Sequence, residues 1–289
     1  MNNKWQEQLQ EFLKSENIKN EEDLQKAMKK YNEMMNMFEE IELSPMAQAY
    51  DYLDKAQAAS SKQMAIKHAK KALEICPDCL DARLFLIDLE NKSFFKTEKE
   101  ILESIELEES RLKKEQYFTK DSIGRFYGIY ETRPYIRGLY RLANLYSLAG
   151  KINKAIEICQ KIIKLNENDN TGARFMLMAL YAYKEDEKSL KELYKKYDYE
   201  CLESLVPFFI LYLKKSDYIK AKSYLDKIDK VNDNFKKFFK GNKIKESTVM
   251  KGYYSHGDSS ELYMYLKNYE FLISSIGVID EFIKRDGDV

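Results

Sequence analysis

The stretch FYGIYETRPYIRGLYRLANLYSLAGKINKAIEICQKIIKLNENDN, Phe126 to Asn170, decides the fold. After the short Glu-Thr-Arg-Pro-Tyr segment, Ile136, Leu139, Leu142, Ala143 and Tyr146 recur three or four positions apart. That spacing places them on one face of a helix. Gly150 interrupts the pattern, and Ala155, Cys159 and Ile162 resume it until the polar run LNEND. The small side chains of Ala143, Gly150 and Ala155 let two antiparallel helices approach closely. The stretch reads as helix, turn, helix.

The same unit recurs on both sides. Upstream, Ser44 and Pro45 are a good N-cap and first helical residue, opening a helix to Ala59. Ala65, Ala69, Ala72 and Pro77 mark its partner. Residues 80–115 read as a degenerate unit with a long, charged second helix. Downstream, Ala173, Leu177 and Leu180 face Leu190, Leu193, Tyr194 and Tyr197. The last unit runs from Leu202 to residue 232 and carries Phe208, Phe209, Tyr212, Ala221, Leu225 and Ile228. Ala155 and Ser189 stand 34 residues apart, and Ser189 and Ala221 stand 32 apart. These intervals resemble the tetratricopeptide repeat, with its small residue after a Leu, its Tyr three further on and its Ala in the second helix. Glu167 stands where that repeat usually carries Pro.

The expected fold is therefore all-α, a right-handed α-solenoid of tetratricopeptide-like helix pairs with helical end caps. Residues 1–44 form the N-terminal cap, with helices Trp5 to Lys14 and Glu21 to Phe38. Residues 45–240 form the solenoid, with units at about 45–78, 80–115, 136–169, 170–199 and 202–232. A connector at 116–135 contains Gly124, Gly128 and Pro134. Residues 241–289 form the C-terminal cap, because a terminal repeat otherwise leaves an apolar face wet.

From about Pro45 the chain also resembles a bacterial tetratricopeptide family related to the suppression-of-tumorigenicity-seven proteins. CPDCLDA (Cys76 to Ala82), GIYETRPYIRGLYRLA joined to LNENDNTGARFML (Gly128 to Leu177) and YYSHGDSSELYMYL (Tyr253 to Leu266) carry the likeness. His256 replaces a proline of the family pattern, and Ile276 to Phe282 matches the closing segment loosely. The resemblance implies a helical repeat fold and brings no reaction with it.

Composition narrows the function classes. Lys+Arg and Asp+Glu number 48 each, against the basic surplus of most nucleic-acid binders. The longest apolar run, LVPFFILYL from Leu205 to Leu213, is far short of the roughly 20 residues that span a bilayer. No basic start followed by an apolar stretch opens the chain, so a cytoplasmic protein is expected. Cys76 and Cys79 form a lone C-x-x-C, but the only histidines, His68 and His256, are distant in sequence. A zinc site needs two further ligands, so no metal or cofactor is expected. His68 reads as solvated, and His256 as a turn residue. No phosphate loop, zinc-protease motif or nucleophile elbow occurs, so no enzyme activity is expected.

A binding groove is the stronger idea. In a helical-repeat solenoid the first helix of each unit lines the concave surface. Arg137, Tyr140, Arg141 and Asn144 share one helix face by their spacing. Arg174, Met178 and Tyr181 occupy the corresponding side of the next unit. Two arginines one turn apart can hold a carboxylate, with Tyr and Asn beside them as hydrogen-bonding groups. The expected partner is a protein or peptide, an acidic one suiting the arginines. The alternative is that the arginines are structural: Arg133 and Arg137 flanking Pro134 and Tyr135 and pairing with Glu131, and Arg174 bonding the NENDN loop. The basic cluster NFKKFFKGNKIK, Asn234 to Lys245, could meet phosphate or an acidic partner, or be a solvated face with its phenylalanines inward. A self-associating scaffold and a peptide-sensing regulator are the other functional readings.

Overall fold

The computed structural model describes residues 3–36, 43–90, 92–244 and 254–285. Phe38, Lys245 and Tyr253, which the sequence reading uses, lie outside them. Among the described residues the regular elements are all helical, with no strand. The fold is an all-α helical repeat, and its contacts divide the chain into two compact units, Met1–Leu139 and Tyr140–Val289.

The first unit holds α1 (Asn3–Ser15), α2 (Glu21–Asn36), α3 (Pro45–Gln57), α4 (Lys62–Ile75), α5 (Leu80–Glu90) and α6 (Phe94–Lys114). The start of α7 (Arg133–Leu148) also belongs to it. Ser44 caps α3 by accepting a hydrogen bond from Ala47 N at 3.1 Å, and Ser61 caps α4 by accepting from Met64 N at 3.3 Å. Between those caps, Tyr50, Leu53 and Ala56 of α3 and Ala65, Ala69 and Ala72 of α4 are buried. The alanines let α3 and α4 pack closely, and α4 in turn packs on α5 and α5 on α6. Helix α1 lies against α3.

The second unit contains the rest of α7, then α8 (Ile152–Leu165), α9 (Ala173–Tyr183), α10 (Glu187–Tyr197), α11 (Leu202–Lys214) and α12 (Tyr218–Val231). Four shorter helices follow: α13 (Asn234–Phe239), α14 (Ser259–Asn268), α15 (Glu270–Ile273) and α16 (Ile279–Arg285). The turns that end α7, α9 and α11 are built alike. Gly150, Glu185 and Ser216 each adopt positive φ, at 70°, 61° and 55°. The next residue's N–H then reaches back to a tyrosine carbonyl: Lys151 to Tyr146, Asp186 to Tyr181 and Asp217 to Tyr212, each at 2.9 Å. This closure satisfies carbonyls that a helix end leaves open. Asp186 and Asp217 then cap α10 and α12, accepting from Ser189 N at 3.1 Å and Lys220 N at 3.2 Å. One turn chemistry thus ends α7, α9 and α11 and reverses the chain.

The C-terminal segment packs in two places. Helix α16 packs on α13, and α13 on α12, as a cap would. Helices α14 and α15 instead lie on α11, and α15 also on α9, the first helices of two repeats. Both first helices are consequently buried almost all round. Every residue of α9 from Met176 to Ala182 is buried, as is every residue of α11 from Ser204 to Leu213.

The start of α9 depends on one buried carboxylate. Asp169, 2% exposed, accepts from Ala173 N at 2.8 Å and Arg174 N at 2.9 Å, and pairs with Arg174 Nη1 at 3.0 Å. Burial pushes its pKa up, against the pull of the Arg174 backbone hydrogen bond and charge. Asp169→Ala strands a half-buried guanidinium and two backbone donors, and is expected to destabilise the chain by about 3 kcal/mol in urea unfolding.

Candidate functional site

The expected binding residues of α7 separate by environment. Its inward face, Tyr135, Ile136, Leu139, Leu142, Ala143 and Tyr146, is buried. Arg137, Tyr140 and Arg141 are half-buried, and Asn144 is exposed. Helical spacing alone brings Tyr140, Arg141 and Asn144 to one face of the second unit.

Arg137 belongs to the first unit and is engaged there. Its Nε donates to Asp81 Oδ1 at 2.9 Å, and its Nη2 donates to Asp81 Oδ2. Tyr50 Oη donates to the same Oδ2 at 2.9 Å. One carboxylate on α5 therefore ties α3 to α7. Burial opposes the charge of Arg137, but the Asp81 hydrogen bond and charge keep its pKa above the ordinary arginine value. Burial, reinforced by Asp81, likewise raises the Tyr50 phenol well above its usual range.

The connector residues have partners other than those suggested by adjacency. Glu131 pairs with Lys14 of α1, not with Arg137. Arg133 Nε donates to Tyr127 O at 2.8 Å, and its guanidinium lies 5.7 Å from the ring centres of Tyr127 and Tyr130. Pro134 occupies the first turn of α7, where its missing N–H costs nothing. Tyr135 is fully buried, donates to Glu109, and forms an aromatic cluster with Phe118 and Phe126.

In the second unit, Tyr140 is raised to about 12 by burial, with Cys159, Asp169, Glu203 and Tyr254 adding to the shift. Burial lowers the pKa of Arg141. Arg174 is held by Asp169 and stacks on Phe175 at 4.1 Å. Met178 and Tyr181 are 2% and 8% exposed, and Tyr181 Oη accepts from Gln160 Nε2 of α8 at 2.9 Å. Both therefore serve as wall rather than as open surface. The C-terminal segment supplies further residues here: Phe271 packs on Tyr183 at 5.9 Å, Tyr254 Oη donates to Glu203 at 3.3 Å, and burial, then the Tyr140 charge, raises the Tyr269 phenol.

Burial raises the Cys79, Cys159 and Cys201 thiols to about 12, and raises Cys76 as well. Such thiols are weak nucleophiles at neutral pH. His256 Nδ1 lies 3.1 Å from Glu261 Oε1 in the loop that opens α14. In the basic cluster, Phe235 is buried and Lys236 reaches Asp226 at 3.4 Å and Asp229 at 3.5 Å. Among the described residues no group of three or more His, Cys, Asp or Glu is arranged to hold a metal ion. No described helix is long and apolar enough to cross a membrane.

Stacked antiparallel helix pairs with a shared turn define the class as an α-helical repeat. Residues 136–169 match the family model of the Tetratricopeptide repeat, so the chain carries at least this repeat, on α7 and α8. No curated protein matches the chain. Asp81, Tyr50 and the α14–α15 segment escaped the sequence reading of the site. Asp81 stands in CPDCLDA, where its acidity suggests only a helix start.

The Arg137–Asp81 pair has a mechanical consequence. Arg137→Ala and Asp81→Ala should each lower stability by roughly 1–3 kcal/mol. Because each removes the same interaction, the double variant should cost clearly less than the sum of the two in a double-mutant cycle read by urea melts.

Proposed function

We propose that this chain is a noncatalytic protein-interaction module that holds a partner peptide against the first helices of its repeats. The observation that carries this reading is the seat of α14 and α15 on α9 and α11. That face already holds a helical segment, with Leu262, Tyr265, Tyr269 and Leu272 buried along it. We assign Tyr140, Arg141 and Asn144, which share one face of α7, as the polar margin of this site, suited to the carboxylates of an acidic peptide. Arg174, Met178 and Tyr181 contribute by shaping α9 behind that margin. The repeat match supports a protein partner, and the likeness in CPDCLDA, GIYETRPYIRGLYRLA and YYSHGDSSELYMYL supports kinship with the bacterial tetratricopeptide family related to the suppression-of-tumorigenicity-seven proteins.

The test is affinity capture on the immobilised full chain, with retained proteins identified by mass spectrometry. The Arg141→Ala/Asn144→Ala variant should lose at least tenfold of a partner retained by the wild type while keeping a cooperative helical melt. Retention of the same proteins by both would remove the polar margin from the account.

One observation favours the self-associating scaffold as a second reading. A cleft of about 510 Å³ lies between α12 and α16, with Tyr218, Ile219, Val278 and Phe282 on its apolar walls and Lys222, Glu281 and Arg285 among its lining. Ile219 is 86% exposed, an apolar surface that water disfavours. If two copies bury it, light scattering shows a concentration-dependent dimer that Ile219→Lys dissociates; a wild-type monomer at all concentrations ends this reading.

A further inference from the structure

The segment from Tyr254 to Ile273 is held in two different ways. At its start is a polar lock. Glu261, 3% exposed, accepts from Asn232 Nδ2 and from Gly257 N, both at 2.8 Å, and faces His256 Nδ1 at 3.1 Å. Asn232 Nδ2 also donates to Asp258 O at 2.9 Å, so the end of α12 grips the loop that opens α14. Gly257 makes this possible: its φ is 81°, and a Cβ there would come within 3.3 Å of Val231 O. Beyond the lock the hold is apolar. Leu262, Tyr265, Tyr269 and Leu272 recur three, four and three residues apart and are all buried.

The apolar part of the fit is imperfect. Tyr265 is 1% exposed, and its hydroxyl has no hydrogen-bond partner among the described residues. Burying a hydroxyl unpaired costs free energy that a phenylalanine there would not incur. The occupant is therefore suboptimal for its seat. It stays because it belongs to the same chain and is locked to Asn232 at its start, which gives it an effective concentration on the order of millimolar.

We infer that the face of α9 and α11 is a helix-binding surface selecting a short amphipathic segment with the leucine and aromatic spacing of Leu262, Tyr265, Tyr269 and Leu272, and that the chain's own α14–α15 competes with the partner for it. This rests on the interaction-module reading and adds the partner's chemistry. A partner with phenylalanine at the place of Tyr265 gains on the tail, and any partner must also overcome the tether.

The probe is a fluorescein-labelled peptide of residues 254–273, titrated into the full chain and read by anisotropy. Leu262→Ala weakens the tail and leaves the seat intact, so this variant should take up the peptide at least tenfold more tightly than the wild type. Tyr265→Phe in the full chain strengthens the tail and should take up less than the wild type. A peptide carrying Tyr265→Phe should outcompete the natural peptide by roughly fivefold or more. Equal uptake by all three proteins, or equal uptake of a scrambled peptide, overturns the inference. If Leu262→Ala loses its cooperative melt, the wild type, Tyr265→Phe and the two peptides still decide it. Ordered uptake without any partner that depends on Arg141 and Asn144 sinks the polar margin alone. An Arg141-dependent partner with no ordered uptake sinks this inference alone.

Discussion

The second unit depends on a small constraint in its backbone: one residue with positive φ at the end of each first helix. It lets the following N–H fold back onto a tyrosine carbonyl, and it turns the chain into the second helix within a few residues. Only Gly150 adopts this conformation without steric cost. Glu185 and Ser216 adopt it at a cost of roughly 1 kcal/mol each, offset by the closing hydrogen bonds and by the packing that the reversal permits. Because the turn fixes where each second helix starts, it also fixes which faces of α9 and α11 meet their partners. Ala155 and Ala221, both fully buried, keep those partners close.

Once the helices are in place, carboxylates decide what the arginines can do. A guanidinium near buried surface is stable only beside a negative charge or in water. Asp81 holds Arg137 from the next first helix of its unit, and Asp169 holds Arg174 from the loop just before it. Both arginines therefore act as fasteners between elements. The spacing that puts Arg137 and Arg141 one turn apart says nothing about this, since Asp81 is 56 residues from Arg137 in sequence.

That difference separates what the chain's residue pattern shows from what it conceals. Helix pairs are local: caps such as Ser44 and Asp217, the Gly150 break and the apolar spacing of α7 and α8 are all visible in windows of a few residues. The Arg137–Asp81 contact of the first unit is long-range and is not visible in such windows. Arg174 falls between, because its partner lies in the adjacent NENDN loop. The positive φ of Glu185 and Ser216 also leaves no trace in residue type, though the aspartates that follow reveal the turn indirectly.

The covered face of α11 did have a sequence signature. The run Leu205 to Leu213 is apolar at every position, with no polar face for solvent. A helix in a two-layer stack buries one side against its partner and needs polar residues on the other. A helix without them must be covered on both sides, so something beyond α9, α10 and α12 had to lie on α11. The only question left to long-range structure was which segment. YMYL, within the tail, supplies an aromatic and aliphatic surface of the right kind, and Asn232 supplies the anchor that brings it there. The unpaired hydroxyl of Tyr265 shows that covering an apolar helix and matching it atom for atom are separate requirements. The tail meets the first in full and the second only in part, which leaves room for another segment to fit the same face better.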